Sequence, residues 1–270
     1  GFRAELLPEG IDVLDARYNV VQWVNRSTRG WSYGMSVDDP RSGEILKGHV
    51  SLGALRVRQD ILLAEGLLSP YVDRDVDERV TEMALARLRQ LSAHEIGHTL
   101  GLAHNFAASI DGRASVMDYP APVVTITQEG ELDLSDAYRD GCGEWDELAI
   151  LYGYGAESLG DVIERMAGLH YLTDRDARGN DRAHPLANLW DNGADPLEEF
   201  AHVARVRRIA AIVLATIVFA LIAILATSSS GVDPQGRPLG PDFFSFWSAA
   251  RVAAANGPEA AYDMVRNRDF

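Results

Sequence analysis

HEIGHTLGLAHNF, residues 94–106, holds three of the chain's seven histidines and decides how the rest is read. His94 and His98 stand four apart, so on a helix both imidazoles lie on one face, one turn apart, and can reach one ion. Glu95 is rotated by about 100° from His94, which places its carboxylate beside such an ion rather than on it. That is where a general base for water on the metal has to stand. Gly101 permits a sharp turn after the helix, and His104 can then come back as a third ligand. Three neutral imidazoles leave the fourth tetrahedral position open for water, as a catalytic Zn2+ site requires. The metal lowers the pKa of that water, and Glu95 can take its proton as it attacks a carbonyl. A lone H-E-x-x-H arises by chance; the extended form with Gly101 and His104 fixes five positions with distinct roles.

Working outward, Val80, Met83, Ala84, Leu88 and Leu91 recur at helical spacing. They predict a helix from an N-cap at Asp77 to a stop at Gly101. Before it, RYNVVQWVNR (17–26) reads as a strand rich in β-branched and aromatic residues. Asp39, Pro40, Ser42 and Gly43 form a turn cluster between two extended runs, which predicts a hairpin whose second run, His49 to Leu52, alternates as a half-exposed strand does. After the histidines come a loop, a short extended piece VVTIT, and a helix over 144–153. Residues 159–205 read as helix, polar loop and helix. DRDARGND (174–181) lacks EF-hand spacing and reads as a solvated loop rather than a calcium site.

ASVMDYP places Met117 13 residues beyond His104, and Tyr119 two further on. With the histidine motif this arrangement resembles the metzincin class of zinc proteases, in which a tight Met-turn lies under the metal. RQLSAHEIGHTLGLAHNF, SVMDYP, GEWDELAILYGYG and HPLANLWDNG resemble, more closely, bacterial metalloproteases with an EcxA-like zinc-binding domain, over roughly residues 1–208. Asn105, next to the third His, departs from the astacin, serralysin, matrixin and adamalysin patterns. The resemblance implies an α+β fold, a twisted mixed sheet over the active-site helix. It implies His94, His98 and His104 as zinc ligands, Glu95 as general base, Met117 as the floor and Tyr119 as an oxyanion stabiliser. It also implies that the strand at His49–Leu52 is the edge on which an extended peptide pairs, and that the helix with Trp145 and Asp146 supports the Met-turn. The partner is then a protein or peptide substrate.

The formal net charge of −15 argues against nucleic acid as a partner. Cys142 is the single cysteine, which leaves any zinc site to His and carboxylates. The chain opens without a signal peptide, and both ends look like cuts, so the expected organisation is an N-terminally truncated protease domain over 1–205. Ile209 to Thr227 is then 19 residues without a charge, ~28 Å as a helix. That predicts a C-terminal transmembrane helix at 206–228 and a membrane association through 209–227. Arg205, Arg207 and Arg208 would put its leading end in the cytoplasm, whereas the resemblance puts the protease domain in the periplasm or outside the cell. Residues 229–270, with GPDFFSFWSAARVAAANG, resemble the first loop of family 87 membrane glycosyltransferases, with Asp242 at the acidic position. The sequence therefore supports a zinc-dependent endopeptidase, with two alternatives: a glycosyltransferase fragment fused near residue 209, and a zinc-binding module without turnover.

Overall fold

The computed structural model describes residues 3–25, 31–68, 78–178 and 183–227. The chain divides into two units, residues 1–210 and 211–270. The first unit carries the elements that build the site, in the order β1 (Val20–Val24), β2 (Tyr33–Asp38), β3 (Ile45–Gly53), α1 (Ala54–Leu68) and α2 (Glu78–Thr99). Then come β4 (Thr125–Ile126), β5 (Leu132–Asp133), α3 (Glu144–Tyr154), α4 (Leu159–Met166), α5 (Asp174–Ala177) and the start of α6 (Pro196–Thr227). The arrangement is mixed α and β. The expected N-cap Asp77 and the tail resembling a glycosyltransferase loop, with Asp242, lie outside the described residues.

The three-stranded sheet is mixed, in the order β1-β3-β2: β1 runs parallel to β3, and β2 antiparallel to it. The β2–β3 hairpin forms where the turn residues placed it. The Asp39 carbonyl accepts from the Gly43 amide at 2.8 Å, and Gly43 takes φ 74°. The edge assignment, however, is corrected. β3 pairs on both sides and is central, and His49–Leu52 is buried or half-buried rather than exposed. Its alternation is polar by composition only. Ser51 is enclosed between neighbours, and nearby Lys47 buries its stem and donates its ammonium to the Asp15 and Tyr18 carbonyls. Among the described strands β2 is an edge, and its Gly34 amide bonds the Glu95 carboxylate.

Helix α2 packs on β2 and β3. Glycines make the close approach possible: a side chain on Gly34 would run into the Glu95 carbonyl, and one on Gly48 into Thr99. The buried stripe of α2 begins as periodicity requires, with Val80, Met83 and Ala84, and then turns polar with Arg87, Gln90 and His94. Leu88 and Leu91 are half-buried instead. Helix α1, which no sequence pattern signalled, packs beside α2.

The expected transmembrane helix is not found: among the described residues, no helix is long and apolar enough to cross a membrane. The apolar run is the second half of α6, a 32-residue helix that starts at Pro196 with Glu198 and Glu199 in its first turn. Its leading part is docked rather than free. Val206 is 5% exposed and packs in one core cluster with Val80, Met83, Val124, Leu132 and Tyr138, and Ile209 and Ala210 lie against the same cluster. Burial of a side chain such as Val206 contributes roughly 1.5–3 kcal/mol. A charge-free run is therefore explained at its start by contact with protein. Sequence hydropathy cannot separate that case from contact with lipid.

Candidate metal centre

The turn that ends α2 sets the geometry. Gly101 takes φ 84°, the left-handed conformation in which a side chain is strained. The Leu102 amide then bonds the Gly97 carbonyl at 3.0 Å and the Gly101 amide bonds the His98 carbonyl at 3.0 Å, the paired bonds of a Schellman ending. This turn does two things. It presents the Leu102 carbonyl to Nδ1 of His98 at 2.9 Å, and it sends the chain back so that His104 faces the helix.

His94, His98 and His104 converge, with one ring nitrogen of each within 4.8 Å of the others. Each Nδ1 is engaged away from the centre. Nδ1 of His94 donates to the Val116 carbonyl at 2.8 Å, that of His98 to the Leu102 carbonyl, and that of His104 to the Asp174 carboxylate at 2.5 Å. A carbonyl oxygen only accepts, so in His94 and His98 the proton sits on Nδ1 and Nε2 carries a lone pair. Nε2 of His98 and Nε2 of His104 lie 3.2 Å apart. With both Nδ1 atoms already donating to oxygen, two facing lone pairs make a poor hydrogen bond. They do match ligands of one cation: two nitrogens on a tetrahedral zinc lie about 3.4 Å apart. Burial pushes the His94 imidazolium down to about 3 and lowers that of His98. Both therefore stand as neutral imidazoles, the form a metal needs. The three-histidine site is compatible with zinc.

Glu95 is buried on α2 and lines the cleft next to His94. Burial raises its carboxyl to about 7, opposed by a hydrogen bond from the Gly34 amide of β2 and by the charge of Arg87. Met117 is fully buried, and its sulfur fills the space beside Gly97, where a side chain would collide with it. Tyr119 reaches the same cleft: its ring centroid is 4.8 Å from that of His104 and 5.5 Å from that of His94. All six residues singled out in the sequence are thus brought together.

The groups that hold them were largely missed. Gln90 donates to the same Val116 carbonyl that receives His94, at 2.9 Å, and Arg87 in turn bonds Gln90. Asp146, on α3, accepts from the Ser115 hydroxyl at 2.5 Å, the Gly143 amide at 2.7 Å and the Val116 amide at 2.8 Å. The supporting role expected of the α3 helix therefore runs through this carboxylate, which clamps the Met-turn. Asp174 belongs to the stretch read as a solvated loop, and it is instead the partner of His104. Asn105 explains how it gets there. Its fully buried side chain bonds the His170 carbonyl and the Leu172 amide, and the Phe106 amide bonds the Leu172 carbonyl at 2.7 Å. The residue that departs from better-known patterns thus fastens the segment that carries Asp174 to the third ligand. A capping box from Thr173 to Asp176, with Asp174 as the first helical residue, was the available signal.

An Asp174→Ala variant is expected to weaken zinc binding about 10–100-fold, since the carboxylate fixes the tautomer and orientation of His104. Competition with a fluorescent chelator measures this, and an unchanged affinity would show Asp174 to be a bystander.

A family model described as Met-zincin matches residues 77–216, more than half of the 270-residue chain. The match contains the histidine motif, the Met-turn and α3, and it runs across residue 209, where a fusion was expected. No curated protein and no solved structure matches.

Proposed function

The chain belongs to the Met-zincin family, and we propose that it is a zinc-dependent endopeptidase. The observation that carries this is the donor set: three imidazoles with Nδ1 committed outward and Nε2 facing one point, and Glu95 beside them. Zinc held there supplies a Lewis acid for the scissile carbonyl and lowers the pKa of the attacking water. Glu95 takes the proton of that water and passes it to the leaving amine. The Tyr119 phenol, on the same cleft, donates to the oxygen that gains charge. β2, the edge strand whose Gly34 amide bonds Glu95, offers backbone for pairing with an extended substrate. Partners are accordingly protein or peptide substrates. On RQLSAHEIGHTLGLAHNF and HPLANLWDNG we further place the chain near bacterial metalloproteases with an EcxA-like zinc-binding domain, working outside the cytoplasm.

The test is cleavage of casein by the full chain, before and after treatment with a chelator. Cleavage that the chelator abolishes and added zinc restores is the expected result. Stoichiometric zinc without cleavage would reduce the protein to a zinc-binding module, and cleavage indifferent to the chelator would refute the proposal.

A further inference from the structure

Three arginines line the cleft of about 520 Å3 that contains His94, Glu95 and Tyr119: Arg56 from α1, Arg87 from α2 and Arg178 just after α5. In a chain of formal net charge −15 this concentration of positive charge is out of keeping with the rest of the molecule. Arg178 is paired with Asp174 at 3.3 Å. Arg56 and Arg87, in contrast, share one buried carboxylate, Asp60, which bonds Arg56 at 3.2 Å, and Arg87 has Glu95 nearby as well. Nε of Arg56 and Nε of Arg87 are both buried without an acceptor among the described residues. Guanidinium groups do not discharge, so burial cannot be relieved by losing a proton. The other carboxyls at hand lean the other way: burial raises Asp60, and raises Asp118 to about 7.

The wall beside Arg56 is held in an unusual conformation. Trp190 has φ 66°, a left-handed backbone that a bulky residue adopts only when its surroundings impose it. Its amide donates to the Tyr119 carbonyl at 2.9 Å, its ring stacks on Tyr119 with centroids 5.5 Å apart, and the Arg56 guanidinium lies 5.5 Å from its centroid. Half of Trp190 is exposed. Arg56, Trp190 and Tyr119 thus form a continuous face that ends at His104.

We propose that this face selects substrates carrying an acidic side chain beside the scissile bond, with Arg56 as the specificity-determining residue. The inference rests on the endopeptidase reading of the same cleft. A planar guanidinium stacked on an aromatic ring keeps its edge available for a carboxylate, which it meets with two parallel hydrogen bonds. The substrate carboxylate supplies the counter-charge that Asp60 alone does not, and the local field draws acidic segments toward a cleft in a protein that otherwise repels them.

Two blocked peptides, identical except for Glu or Gln next to the same scissile bond, test this. Their affinities are measured by fluorescence anisotropy on the zinc-loaded full chain carrying Glu95→Gln, and their cleavage on the unmodified chain. The Glu peptide is expected to bind about 10–100-fold more tightly, with the ratio falling toward one in Arg56→Gln. Because Arg56→Gln removes the partner of buried Asp60, Arg56→Lys is measured as well. It keeps the charge and is expected to show an intermediate ratio. Equal affinity for the two peptides, binding of neither, or a preference unchanged by both Arg56 variants overturns the proposal. Selective binding without cleavage would leave this inference standing and sink the peptidase activity. Cleavage without preference would do the reverse.

Discussion

A Glu95→Gln variant is expected to keep its zinc and lose about 10²–10⁴-fold in peptide cleavage. The side chain lies beside the ligands, so removing its charge leaves the three imidazoles and their outer partners intact. Gln retains an oxygen for the Gly34 amide that now bonds Glu95, so the packing of α2 against β2 is preserved. What is lost is the ability to take a proton from water and return it to the leaving amine. Zinc content and thermal unfolding are measured on the same preparation, so a folding defect would be visible. Undiminished cleavage by a zinc-loaded variant would exclude Glu95 as the base.

An Asp146→Ala variant is expected to lose about 3–5 kcal/mol of stability, by analogy with removal of one partner from a buried charged network. The carboxylate is 3% exposed and accepts from Ser115, Val116 and Gly143. Truncation leaves those three donors buried without an acceptor, each costing roughly 1–3 kcal/mol. Against a total stability of about 5–15 kcal/mol this is a large fraction. The consequence reaches the ligands, because Val116, which Asp146 holds through its amide, is the residue whose carbonyl orients His94. Urea unfolding and zinc affinity are therefore expected to fall together. An Asp146→Asn variant, which keeps one accepting oxygen, belongs between the two. A loss no larger than that of a surface substitution would show that the Met-turn is held by something else.

These two residues show what was legible in the sequence. His94, Glu95, His98, Gly101 and His104 are local in the chain, and helix geometry plus one left-handed turn converts their spacing directly into a site. Met117 and Tyr119 were found because a second short pattern follows at a fixed distance. Asp174, 70 residues from His104, could not be found that way. It arrives through hydrogen bonds from Asn105 and Phe106 to the 170–172 segment, and no periodicity encodes such a tie. Arg87 and Gln90 were hidden for a different reason: the expectation that a buried helix stripe is apolar selected Leu88 and Leu91 in their place. In the sheet, composition gave β3 its strand but not its neighbours. Whether a strand is central or an edge depends on pairing with β1, which precedes it by more than 20 residues. The apolar run in α6 misled because hydropathy records what a side chain avoids and not what covers it. At its start, Ile209 and Ala210 lie against the core cluster.

The centre requires the three imidazoles to hold one zinc ion, and X-ray absorption at the zinc edge on the full chain measures this directly. One zinc per chain is expected, with three imidazole nitrogens at about 2.0–2.1 Å, no sulfur ligand, and a signal that collapses in His94→Ala. A substoichiometric ion, a thiolate in its shell from Cys142, or a spectrum indifferent to loss of His94 would contradict the centre described.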